Sequence, residues 1–154
     1  AYFLVKRFLD NDQKRREHEL KKSTLGTITP LKIQAFERIV IYLERINPNS
    51  LVIRVNKNGM SARQLHMELV AAIKTEYEHN LSQQIYLSPG AWELVKTSRE
   101  EIIQLVNISS SKVPADANSS ELAMMILNIT ANLGKKLPND VAIEYLKKEI
   151  AQIF

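Results

Sequence analysis

Residues 59–85 read GMSARQLHMELVAAIKTEYEHNLSQQI, and this stretch decides the fold. Gly59 breaks the chain before it, Met60 stands at N′, Ser61 at the N-cap, Gln64 at N3 and Leu65 at N4. A Ser and a Gln at that spacing each satisfy a backbone N–H of the other, while the apolar pair at N′ and N4 closes over them as a hydrophobic staple. Behind this start Leu65, Leu69, Ile73, Tyr77 and Leu81 recur along one stripe. The pattern predicts an amphipathic helix to about Ile85, roughly 35 Å long at about 1.5 Å per residue.

The same grammar continues downstream. Ser88 and Pro89 form an N-cap and N1 pair, with Leu87 and Trp92 placed as its staple. The helix they open has the core face Trp92, Val95, Ile102, Leu105 and Val106 and ends before Pro114. Val113 to Ser120 is a loop. Asn118 and Glu121 make a second capping-box candidate for a helix bearing Leu122, Ile126, Ile129 and Leu133, closed by Gly134 as a C′ residue with Lys135 and Lys136 near the negative helix end. A last helix from about Asn139 carries Val141, Tyr145, Leu146, Ile150 and Ile153.

Upstream, the β-branched run from Ser50 to Val55 reads as an extended piece or, better with its neighbours, a short helix capped by Ser50. Thr29 and Pro30 look like another N-cap and N1 start, leading into a stripe of Phe36, Ile39, Val40 and Leu43 that Asn47 and Pro48 stop. Before the break at Gly26, Asp10 to Lys22 is polar on every side and rests on i, i+4 pairs such as Asp12 with Arg16 and Glu17 with Lys21. The fold class is therefore all-α: an antiparallel bundle of four to five helices over residues 27–154, preceded by a polar juxtamembrane stalk helix.

Residues 1–7 set the expected location. Ala1, Tyr2, Phe3, Leu4 and Val5 run without a cap into Lys6 and Arg7. Two aromatics followed by two cations match the aromatic belt and the positive-inside bias at the cytoplasmic end of a membrane span. Five residues span nothing, since a crossing takes about 20, so the apolar run is expected to begin upstream of Ala1. Residues 1–26 are then the end of a transmembrane helix plus its stalk. The plainer alternative is a first turn that packs Phe3 and Leu4 on the core.

Composition narrows the function classes. With no Cys there is no disulfide, thiolate metal site or cysteine nucleophile, which fits a reducing cytoplasm. Four Asn-x-Ser/Thr triplets, at Asn80, Asn107, Asn118 and Asn128, read as chance in an Asn- and Ser-rich chain. The net charge of +4 accompanies 17 acidic residues, and no aromatics interleave with the cations to stack bases, so nucleic acid is the weaker partner for the basic run. Lys6, Arg7, Lys14, Arg15 and Arg16 are instead candidate lipid-facing residues, each worth about 1 kcal/mol near an anionic leaflet.

Catalysis finds little support. Glu76-x-x-His79 is half of the di-iron motif of four-helix bundles, but a second Glu-x-x-His is missing, since His18 and His66 follow Arg15 and Arg63 at that spacing. There is no Gly-x-Ser-x-Gly elbow and no Gly-rich phosphate loop. No catalytic residue, cofactor site or metal site is assigned. The amide-rich run from Tyr77 to Tyr86 is a solvated face, an interior hydrogen-bond network or a partner surface, and His79, Asn80, Gln83 and Gln84 are its candidate partner-facing residues.

Phe8-Leu9-Asp10-Asn11 leading into Lys14-Arg15-Arg16, Ile46-Asn47-Pro48-Asn49-Ser50-Leu51, Ser61 to Leu65, Glu78 to Tyr86 and Ala91 to Val95 together resemble an uncharacterised Bacteroidota family of membrane-anchored proteins. The resemblance covers nearly the whole chain. It implies one N-terminal transmembrane helix followed by a helical cytoplasmic domain, and it carries over no activity and no site residues. The expectation is a non-enzymatic interaction or scaffold domain of a single-span inner-membrane protein, an accessory subunit of a larger complex, with its bulk in the cytoplasm. Its partners are the anionic membrane surface and an unidentified protein, and a homo-oligomer is compatible. The alternatives are a metal-dependent bundle enzyme built on Glu76 and His79, and a soluble basic nucleic-acid-binding domain.

Overall fold

The computed structural model describes residues 1–154, leaving out the side chains of Thr24 and Leu25. Six α-helices follow one another: α1 (Tyr2–Arg45), α2 (Pro48–Val55), α3 (Ala62–His79), α4 (Pro89–Ser111), α5 (Ser119–Ala131) and α6 (Pro138–Ala151), with a 3-10 helix at Leu81–Tyr86. Among the described residues there is no β-strand, so the chain is an all-α helical bundle. Two compact units, Ala1–Gln34 and Ala35–Phe154, divide the chain within α1, eight residues beyond the sequence-based boundary at 26/27.

In the first unit the expected break is absent. Gly26, Thr29 and Pro30 all lie inside α1, and Pro30 is an interior proline instead of N1 of a new helix. An interior proline removes one N–H and crowds the carbonyl four residues back. Here that carbonyl belongs to Gly26, an exposed residue, so water has access to the freed acceptor. The Thr27 hydroxyl donates to the Ser23 carbonyl at 3.2 Å, a further local bond on the same exposed stretch. A proline at N1 and one tolerated mid-helix give the same sequence signal.

The second unit holds the core. The end of α1 contributes Phe36, Ile39, Tyr42 and Leu43, α3 contributes Leu65, Leu69 and Ile73, and α4 contributes Val95, Ile102 and Val106. Leu122 and Ile126 of α5 and Ile143 and Leu146 of α6 complete it. Within it α3 packs on α2, α4 and α5, and α4 packs also on α5 and α6, so the two longest helices of this unit are its centre.

Most starts are where the caps predict. Gln64 N–H donates to Ser61 Oγ at 3.1 Å while Ser61 N–H donates to Gln64 Oε1 at 3.0 Å, a complete capping box. Ser88 Oγ accepts from Ala91 N–H at 3.1 Å, with Pro89 opening α4. Asn118 Oδ1 accepts from Glu121 N–H at 3.0 Å at the head of α5. A short antiparallel bridge ties two of these caps together: Ala62 N–H donates to the Ala117 carbonyl and Ser119 N–H to the Met60 carbonyl, each at 3.0 Å.

Four details differ from the sequence reading. The run from Ser50 to Val55 is helical, but its cap is Asn47, whose Oδ1 accepts from Asn49 N–H at 3.1 Å, with Pro48 at the start. The helix α3 stops at His79 instead of Ile85, because Asn80 turns its amide back onto the Glu76 carbonyl at 2.7 Å and the chain tightens into the 3-10 run. Leu81, expected on the core stripe, is exposed. Gly134 does have positive φ, at 68°, but α5 is capped by Asn132, so Gly134 sits one position past C′.

In α6 the buried stripe is Ala142, Ile143 and Leu146, whereas Val141 and Tyr145 are exposed. Tyr145 nonetheless explains Gly90. A Cβ there would lie 2.7 Å from the Tyr145 hydroxyl oxygen, so the missing side chain at the head of α4 is the space the phenol uses.

Candidate functional site

The first nine residues form the first candidate. Tyr2, Phe3, Leu4, Val5, Phe8 and Leu9 are all exposed, with Phe3 at 82%, Leu4 at 74% and Phe8 at 70%. Four successive helical positions at about 100° each point to all sides, so no one stripe of this segment is set aside for packing. Tyr2 and Phe3 meet only edge to face, with ring centroids 5.9 Å apart.

The cations beside this segment are equally open. Lys6, Arg7, Lys14, Arg15 and Arg16 are exposed along α1. Arg15 and Arg16 share Asp12, at 3.3 and 3.2 Å, the second being the i, i+4 pair expected from the sequence. One carboxylate between two guanidinium groups leaves this turn net positive. Among the described residues no helix is long and apolar enough to cross a membrane.

The second candidate lies around the end of α3. Of the four candidate partner-facing residues, His79 and Gln84 are exposed, Asn80 is half-buried and committed to the Glu76 carbonyl, and Gln83 is buried. Gln83 is therefore an interior residue, its amide donating to Ser82 Oγ at 3.3 Å. The amide run is split between core and solvent, with Gln83 inside and His79 and Gln84 outside.

Glu76 is the hub of this region. Arg45 of α1 grips it through Nε, at 3.1 Å to Oε1 and 3.2 Å to Oε2, and through Nη2 at 2.7 Å. Arg54 of α2 adds Nη1 at 3.0 Å and donates Nη2 to the Arg45 carbonyl at 3.1 Å. Burial would raise the pKa of Glu76, but the hydrogen bond from Arg45 and the charges of Arg54 and Arg45 outweigh it and hold the carboxyl below its usual value. The Arg45 guanidinium is held correspondingly further toward its charged form, first by the bond to Glu76. Arg38 donates to the His79 carbonyl at 3.4 Å, and Arg38, Arg45, Glu76 and His79 border a cleft of about 440 Å³ with Tyr42, Thr75 and Asn80.

The half di-iron motif has other partners in this arrangement. The Glu76 oxygens are taken by two arginines, which are cations where a metal site needs further donors. Among the described residues no three His, Asp or Glu side chains stand close enough to hold a metal. Tyr42, buried under the cleft, donates to the Ile73 carbonyl at 3.2 Å, and burial pushes its pKa up. Tyr77 stacks on Trp92 at 5.5 Å with Arg99 4.8 Å from its ring centre, so the single Trp is a packing residue of the α3–α4 contact. Burial raises the Tyr77 pKa, against the opposing charge of Arg99.

Sequence reasoning missed Arg38, Arg45 and Arg54, and it missed Asn139. That side chain is fully buried and donates Nδ2 to the Leu43 carbonyl at 3.2 Å, pinning the start of α6 to the end of α1. Of the four glycosylation triplets, Asn107 is 2.7 Å from His66 Nε2, while Asn80 and Asn118 are helix caps.

These features define an all-α bundle protein with an arginine-clamped carboxylate and an exposed apolar helix segment beside cations. The chain belongs to a family of unknown function, DUF7935, whose profile matches residues 1–153. No curated protein and no solved structure gives a match.

Proposed function

We propose that the chain is a non-enzymatic interaction domain held at the inner membrane by the apolar start of α1, with its bulk in the cytoplasm, serving as an accessory subunit of a larger assembly. The observation that carries this reading is the exposure of six large apolar side chains within nine residues, on all sides of a helix. Each recovers roughly 1.5 kcal/mol or more when taken out of water, whereas each nearby cation adds about 1 kcal/mol at an anionic surface. The apolar term therefore dominates and the cations bias the lipid chosen. The resemblance to Bacteroidota membrane-anchored proteins supports the same location. Glu76, the one residue with a catalytic motif around it, is engaged by Arg45 and Arg54, which favours a binding role over a chemical one.

Vesicle flotation tests this. The chain is expected to float with phosphatidylglycerol-containing vesicles and to resist release by salt. Leu4→Asp with Phe8→Asp should abolish flotation, while reversing Lys14, Arg15 and Arg16 to Glu should weaken it on anionic vesicles only. A chain that stays at the bottom of the gradient, or one that floats unchanged after the Leu4 and Phe8 substitutions, overturns the membrane reading.

A further inference from the structure

The second unit carries a self-complementary apolar patch. Phe36, Val40 and Ile41 of α1 and Leu146 and Ile150 of α6 line a groove of about 400 Å³. Its walls are of opposite sign, with Glu37 on the α1 side and Lys147 on the α6 side. Val40 and Ile41 also border a neighbouring hollow with Glu44, Ser50 and Arg54, so the two side chains stand as a ridge between two depressions. Ile41 is 58% exposed on this ridge.

We propose that this face is the contact of a symmetric homodimer, in which the Val40–Ile41 ridge of each copy fills the Phe36–Leu146–Ile150 groove of the other. A two-fold contact brings the same patch from both copies together, so a ridge must lie beside a groove that accepts it. With the two-fold axis running along the groove, rotation by half a turn sets the α1 wall of one copy against the α6 wall of the second. Glu37 then faces Lys147 of the second copy, twice by symmetry. Among the described residues neither side chain takes part in an ion pair within its own chain. A second copy meets both charged walls with opposite charge at once, and this is why it is the occupant the patch selects. The inference draws only on residues of the second unit and does not depend on the membrane reading.

Sedimentation equilibrium of the full chain gives the test. The wild type should fit a monomer–dimer equilibrium. Ile41→Asp, at an exposed position, should leave a folded monomer by circular dichroism. Glu37→Lys and Lys147→Glu should each weaken the dimer about tenfold, through two like-charge contacts per dimer, and the two together should restore it. Leu4→Asp with Phe8→Asp should leave the dimer intact. A wild type that is monomeric at about 100 μM, a dimer indifferent to Ile41→Asp, or a dimer lost only with the Leu4 and Phe8 substitutions overturns the proposal, the last assigning association to the start of α1.

Discussion

Replacing Glu76 by Gln keeps the shape of the side chain and removes the charge that Arg45 and Arg54 share. Four hydrogen bonds at 2.7 to 3.2 Å are affected. A charge-assisted hydrogen bond is worth about 1.5–3 kcal/mol when shielded from water. The shielding is partial: the Glu76 side chain is 21% exposed and that of Arg45 46%, so solvent screening removes about half of the gain. The expected loss is about 1–2 kcal/mol at pH 7, which at an m-value of about 2 kcal/mol/M lowers the urea midpoint by about 0.5–1 M. The sign of the pH dependence follows from the depressed pKa of Glu76 in the folded protein. Its contribution is fully present above the unfolded carboxyl value and disappears as pH falls through the lower folded value. Wild type and Glu76→Gln should therefore differ at pH 7 and converge in acid, and the gap at pH 7 should narrow as salt is added. Equal midpoints at pH 7, or a gap that survives acidification, would refute the clamp. A chelator that destabilised the wild type but not the variant would return Glu76 to metal binding.

Two further substitutions test the helix ends. Ser61→Ala removes one half of the capping box and should cost about 1 kcal/mol, read as a urea midpoint about 0.5 M lower; an unchanged midpoint would separate the start of α3 from its cap. Asn139→Ala leaves the buried Leu43 carbonyl without its donor and should cost about 1–3 kcal/mol, with faster amide exchange at the end of α1 and the start of α6; exchange that rises uniformly would show that the residue does not pin those two ends.

What was legible in the sequence was what closes within four residues. Ser61 with Gln64 and Ser88 with Pro89 are complete statements of local geometry, and both helices start where those residues say. The stripes Leu65, Leu69, Ile73 and Val95, Ile102, Val106 follow from the same periodicity. Pro30 was read wrongly because a proline tells only what it cannot donate; whether that vacancy falls at N1 or mid-helix depends on the residues before it. The stripe of α6 was misplaced because Val141 and Tyr145 compete with Ala142 and Ile143, and burial of a small Ala against a neighbour is a tertiary fact. The clamp was invisible for a different reason. Glu76 lies 31 residues from Arg45 and 22 from Arg54, and no period links charges on separate helices.

The asparagines, whose N-x-S/T triplets read as chance, have a common use at the helix ends. Asn80, Asn132 and Asn139 each donate a side-chain amide to a helical carbonyl, those of Glu76, Asn128 and Leu43. Asn47 and Asn118 accept N–H groups at the opposite kind of end. A bundle of short helices has many termini for its length, and each terminus leaves four backbone groups that water or a side chain must satisfy. Carboxamides can serve either kind of end, as donor or acceptor, without adding charge to the crowded junctions between α1, α2, α3 and α6. Within the amide-rich run after Tyr77, Asn80 and Gln83 belong to the architecture, while His79 and Gln84 stay in solvent. Surface left for recognition is therefore to be sought where side chains do no such work: the apolar start of α1, the Ile41 ridge, and His79 and Gln84.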